Sequence, residues 1–328
     1  MTKRLLTASL TAVLLGGCAG VPRGNNLPSG YKMPPPPPKR VDMPIDAGLR
    51  REAEAELAKN LNSGDAVLRA NAIEAMQRTG GANNAPRLLA ALTDPNPLVR
   101  FAGGMAIGTL RLEAARPRLL TMADDSNKSV QIAVRFALHR LGDTRLSHEF
   151  EIFAKDIDDR VRSNTALALG LLGEPSATNV LRVMQRDLNP IVRLQVIDSL
   201  WRLGDTAARD KLVTGVVDVH PEVQIVSLLG LAGPRKPEVL RYVRAQLTAE
   251  GTETRLAAAR AAGQLGTDDG MAVVLKEIDS RDPRQRSMAA LALGDIGRTD
   301  AQPPLRKLLN DREPGVRLAA ATAVLQLK

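Results

Sequence analysis

Apolar and small residues recur along most of this chain at the spacing of one helical face, as in Val99, Ala102, Ala106 and Leu110, or Val316, Ala319, Ala323 and Leu327. Most such stretches end at a glycine, Gly80, Gly142, Gly173, Gly204, Gly266 and Gly297, all but Gly80 directly after a leucine or isoleucine. Glycine there suits the left-handed residue that stops a helix. A polar turn and a second amphipathic segment follow, such as 177–186 with Val180, Leu181 and Met184, or 304–310 with Leu305, Leu308 and Leu309. The pattern predicts helical hairpins joined in series.

The hairpins keep one register. A Val-Arg pair stands at Val99-Arg100, Val161-Arg162, Val192-Arg193 and Val316-Arg317, all multiples of 31 residues apart. The full column reads Arg69, Arg100, Gln131, Arg162, Arg193, Gln224, Arg255, Arg286 and Arg317, with no insertion or deletion. Six residues before it runs a second column, Asp94, Asp125, Asp156, Asp187, Asp218 and Asp311, interrupted by Ser63, Ala249 and Ser280. A hairpin of this size cannot enclose its own apolar face, so units must stack and share one core. An aromatic content of 2% fits closely packed, Ala- and Leu-rich helices better than a sheet core of bulky residues. The expected fold is all-α, an α-solenoid superhelix of about nine two-helix repeats over residues 47–328, opened by a helix at 47–61.

The Asp, Val-Arg, Ala-rich and Leu-Gly signature resembles HEAT repeats, particularly the short type first noted in phycobilisome lyases. That resemblance implies a polar ladder in which the turn Asp and the Arg of the following helix link units. Asp94 with Arg100 and Asp187 with Arg193 match it, and Arg162, Arg255, Arg286, Asp311 and Arg317 fall in the same columns. Gln131 and Gln224 depart from it. The chemistry agrees, since Asp before a helix is a natural N-cap and a buried guanidinium needs a carboxylate or carbonyl partner.

Before the repeats lie two further segments. Lys3 and Arg4 precede the apolar stretch 5–15, too short to span a bilayer as a helix, and Leu15-Gly16-Gly17-Cys18 follows. This resembles a lipoprotein signal and its lipobox. The resemblance implies removal of residues 1–17, a thioether from Cys18 to diacylglycerol, and an acylated (palmitate-type) new amino terminus, which together give near-permanent membrane anchoring. An ordinary secretory signal with a chance cysteine is the alternative. Ala19 is not the aspartate associated with inner-membrane retention, so the expected location is the outer membrane, facing the periplasm. Residues 18–46, with consecutive prolines 34–38, are expected to form a disordered, polyproline-type tether beside Lys39 and Arg40. A proline run is also a ligand for aromatic grooves.

A formal charge of +9 over 328 residues, two of it from Lys3 and Arg4, is a solvated basic surplus rather than a nucleic-acid groove, and no nucleic acid is expected as partner. With one cysteine there is no intrachain disulfide. His139, His148 and His220 have no partner at metal-ligand spacing, and neither a phosphate loop nor a nucleophile elbow occurs. No catalytic residue, metal or cofactor is expected, beyond the covalent lipid on Cys18. The expectation is therefore a non-enzymatic scaffold or adaptor that binds a protein partner through the inner, concave face lined by the Val-Arg helices. A lyase-type enzyme or activator related to the phycobilisome lyases is the alternative. Candidate partner-binding positions are Arg135, His139, Arg140, Asp198, Trp201, Arg202, Arg260, Gln264 and Asp295. Trp201 stands in a column otherwise holding Gly108, His139, Gly170, Ala232, Gly263 and Gly294, so it either protrudes into the groove or fills a packing gap. The final helix, ending near Lys328, is expected to leave an exposed stacking edge that includes Val324.

Overall fold

A computed structural model of the chain describes residues 35–327, so the leader and Cys18 lie outside the described residues. Among these residues the fold is helical throughout, an all-α solenoid. It divides into two compact units, one of Ala55–Gly204 and one of Asp205–Lys328 together with residues 35–54.

Helix α1 spans Ala47–Leu61, as the periodicity predicts. The first unit holds α2 (Ala66–Thr79), α3 (Ala85–Ala91), α4 (Pro97–Leu110), α5 (Arg116–Thr121), α6 (Lys128–Arg140), α7 (Phe150–Phe153), α8 (Asp159–Leu172), α9 (Ala177–Met184) and α10 (Pro190–Arg202). The second holds α11 (Thr206–Gly215), α12 (Pro221–Ala232), α13 (Leu240–Ala245), α14 (Thr252–Gln264), α15 (Met271–Glu277), α16 (Pro283–Ile296), α17 (Gln302–Leu309) and α18 (Pro314–Gln326). None is both long and apolar enough to cross a membrane.

The even-numbered helices are the Val-Arg helices. In the first unit each of α2, α4, α6, α8 and α10 packs on the next, and in the second α12, α14, α16 and α18 do the same. Their valines, Val99, Val130, Val161 and Val192 in the first unit and Val316 in the second, are buried in these contacts. The odd-numbered helices after α1 are shorter, and each packs on the Val-Arg helix that follows it. Small residues set how close neighbours come. A Cβ added at Gly170 of α8 would lie 2.6 Å from the Ser199 Cβ of α10, and one at Gly294 of α16 would lie 2.7 Å from the Ala323 Cα of α18.

Most helix ends follow the glycine column of the sequence. Gly142, Gly173, Gly204, Gly266 and Gly297 all take positive φ, between 74° and 93°, as a left-handed stop requires. Gly80 does not: its φ is −121°, and α2 runs on into a 3₁₀ turn over Gly81–Asn84. Where the column lacks glycine, Arg111 and Arg235 take the left-handed conformation instead, at φ 52° and 55°.

The expected tether is not free over its last part. Pro38 to Asp46 lies along the last repeat, and six of its main-chain N–H and C=O groups hydrogen-bond to Arg298, Thr299, Asp300 and Gln302. Asp46 then caps α1, accepting from the Gly48 and Leu49 amides at 2.7 and 3.1 Å. Val324, expected on an open edge of the last repeat, is buried, as is Leu327.

Candidate functional site

Within each unit the ladder columns come together between neighbouring repeats, with a pairing that differs from the expected one. Arg100 does not bind the side chain of Asp94. Its Nη1 donates to the Asp94 and Pro95 carbonyls at 2.9 and 3.1 Å, while Nε and Nη2 fork onto the Asp125 carboxylate of the next repeat, both at 2.9 Å. Arg69 with Asp94, Arg162 with Asp187 and Arg286 with Asp311 repeat the arrangement 25 residues apart. Arg193, Arg255 and Arg317 keep the carbonyl half toward their own turns. Each complete rung therefore closes its own turn and ties it to the next, which a planar five-donor guanidinium can do and an ammonium cannot.

The turn Asp is not the helix cap either. The cap stands two residues later, at Asp65, Asn96, Asn127, Asp158, Asn189 and Asp282, each accepting from an amide of the first turn. The column Asp instead accepts from the main-chain N–H two residues on, as Asp94 does from Asn96 at 2.8 Å. The Arg69 fork and this N–H hold the Asp94 carboxyl below the usual carboxylate range. For Asp125, Asp187 and Asp311 burial pushes upward, but the Arg fork and the turn N–H together outweigh it and the net direction is again down.

At the two departures the glutamines keep half the function. Gln131 donates to the Asp125 carbonyl at 2.7 Å, and Lys128 reaches Asp156 at 2.6 Å in place of the missing fork. Gln224 donates to the Asp218 carbonyl and accepts from Thr254 Oγ1 at 2.6 Å, opposite Ala249 where the Asp column is broken.

The candidate partner-binding residues are largely engaged within the protein. Trp201 is 1% exposed, so it fills the packing and does not protrude. Arg135 is buried as well, bonded to Glu149 and to the Ala123 and Gln131 carbonyls, with its guanidinium 5.2 Å from the Phe153 ring centre. Asp198 is buried and accepts from Arg202 Nε at 2.8 Å. Its Oδ1 has no hydrogen-bond partner among the described residues. Arg260, Gln264 and Asp295 form one cluster, with Asp295 accepting from both at 2.8 and 3.0 Å. His139 pairs with Ser147 Oγ at 2.7 Å and lies 3.5 Å from Glu174. Arg140 Nε donates to the Gly108 carbonyl at 3.4 Å, and burial together with repulsion from Arg111 holds its pKa below the ordinary guanidinium value. Among the described residues, no group of three or more His, Cys, Asp or Glu could hold a metal ion.

One surface feature was missed in reading the sequence. Ile157 and Leu188, one 31-residue step apart, stand in the turns before α8 and α10 and are each 95% exposed. Ile152 and Val183, also one step apart, are exposed on α7 and α9. The signal was available: the position after the column Asp holds Pro95, Ser126, Ile157, Leu188, Val219, Glu250, Arg281 and Arg312, apolar in the middle and charged at the end. Lys155 and Arg186, again in step, are exposed beside it.

Comparison with known proteins bears on the fold. The chain resembles CpcE and CpcF of phycocyanin lyase from Nostoc sp. PCC7120, solved as a complex, at 18% identity and a TM-score of 0.45 over 73% of this chain and 98% of that one. Human deoxyhypusine hydroxylase in complex with glycerol is similar at 16% identity and a TM-score of 0.38 over 85% and 96% of the two chains. Kap121p bound to Nup53p is similar at 13% and 0.37, over 82% of this chain and 37% of that one. No curated protein is significantly similar in sequence. The family model for HEAT repeats matches residues 54–139, 148–219 and 271–328, more than half of the sequence. With its two-helix units in 31-residue phase and its Arg ladder, the chain belongs to the HEAT-repeat family.

Proposed function

We propose that the protein is a non-enzymatic scaffold or adaptor of the bacterial cell envelope, lipid-anchored through Cys18, that holds a protein partner. HEAT-type stacking supports this reading, since it builds a long surface from units that differ only at their exposed positions. The observation that carries it is the row formed by Ile157 and Leu188, with Ile152 and Val183 beside them. Single exposed apolar residues are ordinary, but recurrence at one register position on successive repeats makes a contiguous feature that water does not favour.

The row also narrows the partner. Packed helices lie about 8–10 Å apart, so residues one repeat apart are separated by roughly the axial rise of seven helical residues. An amphipathic helix laid along the row would meet Ile157 and Leu188 with apolar residues at i and i+7. Acidic residues at its flanks would complement Lys155 and Arg186. On this reading the partner contacts the turn edge of the first unit, where Ile157 and Leu188 are exposed, and the buried Trp201 takes no part.

The test is site-specific photocrosslinking in intact cells, with the crosslinker placed in turn at 157, 188, 140 and 260. The proposal expects one shared adduct from 157 and 188, abolished by Ile152→Asp with Val183→Asp, while the far-UV spectrum is unchanged. Adducts only from 140 and 260 would move the contact back to the Val-Arg helices. Absence of a specific adduct at all four positions would sink the scaffold reading.

A further inference from the structure

The last repeat departs from its own columns where it meets the segment 38–46. Arg298 occupies a position held by Asp143, Glu174, Asp205, Lys236 and Thr267 in earlier repeats, and Gln302 one held by Ser147, Thr178, Arg209, Leu240 and Met271. Arg298 is 1% exposed, and Asp268 and Asp300 fix its guanidinium. From there it donates to two consecutive carbonyls, Pro38 at 2.8 Å and Lys39 at 3.0 Å. Asp300 and Thr299 then accept from the Val41 and Met43 amides at 3.1 and 3.0 Å. Gln302, also buried, uses both ends of its amide, donating to the Pro44 carbonyl at 2.9 Å and accepting from the Asp46 amide at 2.7 Å. Arg306 pairs with the Asp46 carboxylate.

Nearly all of this recognition is directed at main chain. The side chains of Val41 and Met43 remain exposed at 57% and 38%. Register is fixed nevertheless. Positions 41, 43 and 46 must supply an N–H, which proline lacks, whereas Pro38 and Pro44 are bonded only through their carbonyls, where proline fits and its restricted φ lowers the entropy lost on docking. A spacer would not need buried, oppositely oriented side chains matched to each donor and acceptor in turn.

We propose that the last repeat carries a binding site for an extended, proline-containing peptide that ends in an acidic residue, and that residues 38–46 are its resident, displaceable ligand. The site stands on geometry separate from the Ile157–Leu188 row and does not depend on the function proposed above. When the resident segment leaves, the same segment of a second copy of this chain occupies Arg298, Thr299, Asp300 and Gln302.

The test uses the full chain in mild detergent and a fluorescein-labelled peptide of residues 36–46. Val41→Pro with Met43→Pro removes two donated N–H groups from the resident segment and leaves the receiving side chains intact. Binding read by anisotropy is expected to saturate in this double variant. It is expected to be about tenfold weaker in the unsubstituted chain, because a resident segment on a short connection competes at an effective concentration in the millimolar range. Adding Arg298→Met should abolish it, and a peptide carrying prolines at 41 and 43 should not bind. Equal binding to the unsubstituted and double-proline chains, no saturation up to about 1 mM, or binding that survives Arg298→Met would overturn the proposal. Amide exchange of Val41 and Met43 in the unsubstituted chain gives a reading that does not rely on any variant folding: slowed exchange is expected, and exchange at the unfolded-chain rate would refute the docked segment.

Discussion

Replacing Arg100 separates the two jobs that one ladder guanidinium performs. Arg100→Ala removes two bonds to the Asp94 and Pro95 carbonyls and the fork onto Asp125. Those carbonyls border solvent and recover water, so their loss is the smaller part. The Asp125 carboxylate is only 11% exposed and keeps a single strong donor, the Asn127 amide at 2.9 Å. Breaking a fully buried pair costs about 3–5 kcal/mol, and a hydrogen bond to a charged group contributes about 1.5–3 kcal/mol, so partial exposure places Arg100→Ala near 3 kcal/mol. With a urea slope of about 2 kcal/mol per molar, that lowers the midpoint by about 1.5 M. Arg100→Gln should cost about 1 kcal/mol less, because glutamine at this column keeps the carbonyl bond, as Gln131 does. The decisive number is a coupling energy from urea unfolding followed by far-UV circular dichroism. The cycle Arg100→Ala with Asp125→Asn should give about 1.5–3 kcal/mol, and the cycle with Asp94→Asn close to zero. The opposite ranking would mean that the rung closes within a repeat and does not link neighbours.

Three further outcomes follow from the packing and the charges. Gly170→Val drives a side chain into Ser199 of the next Val-Arg helix, where even a Cβ would lie 2.8 Å from the Ser199 Cα. It should destabilise by about 1–3 kcal/mol with no relief from Ser199→Gly, and full relief would show that the backbones are not in contact. Trp201 fluorescence should be blue-shifted and resistant to acrylamide, while ready quenching would contradict its burial. The ladder carboxyls of Asp94, Asp187 and Asp311 are held below their unfolded value, so their stabilisation is complete above the ordinary carboxylate pKa of about 3.9 and is lost as pH falls below it. Urea midpoints measured from pH 6 to pH 3 should therefore fall less steeply in Asp187→Asn than in the unsubstituted chain, and parallel curves would remove the ladder as the acid-sensitive element.

The repeat was legible because stacking imposes it. Each unit must hide the same face and cap the same helix, so Val99, Arg100, Asp94 and the glycine stops recur in phase. The pairing within the ladder was not legible, for a reason inherent to periodicity: an Asp six residues before an Arg and one 25 residues after it belong to the same 31-residue column. Only the folded chain separates them, by the Arg100 fork onto Asp125. Trp201 was ambiguous because a column of glycines says that the space is small without saying where a large ring would go. The docking of residues 38–46 left no side-chain pattern to read, since Arg298, Thr299, Asp300 and Gln302 recognise main-chain groups that every non-proline residue carries. Ile157 and Leu188 share a register position, but periodicity does not distinguish an exposed apolar turn residue from a buried one.

The central claim, that identical phase makes the repeats interchangeable neighbours, is tested most directly by deleting residues 125–155 and measuring helicity and the urea transition. The deletion brings Asp156 to the position 25 residues after Arg100, restoring the fork with a different repeat. Unchanged ellipticity per residue and a cooperative transition are expected for this deletion, with loss of both when residues 125–152 are removed, which leaves the register three residues out of phase. Equal behaviour of the two deletions would contradict it.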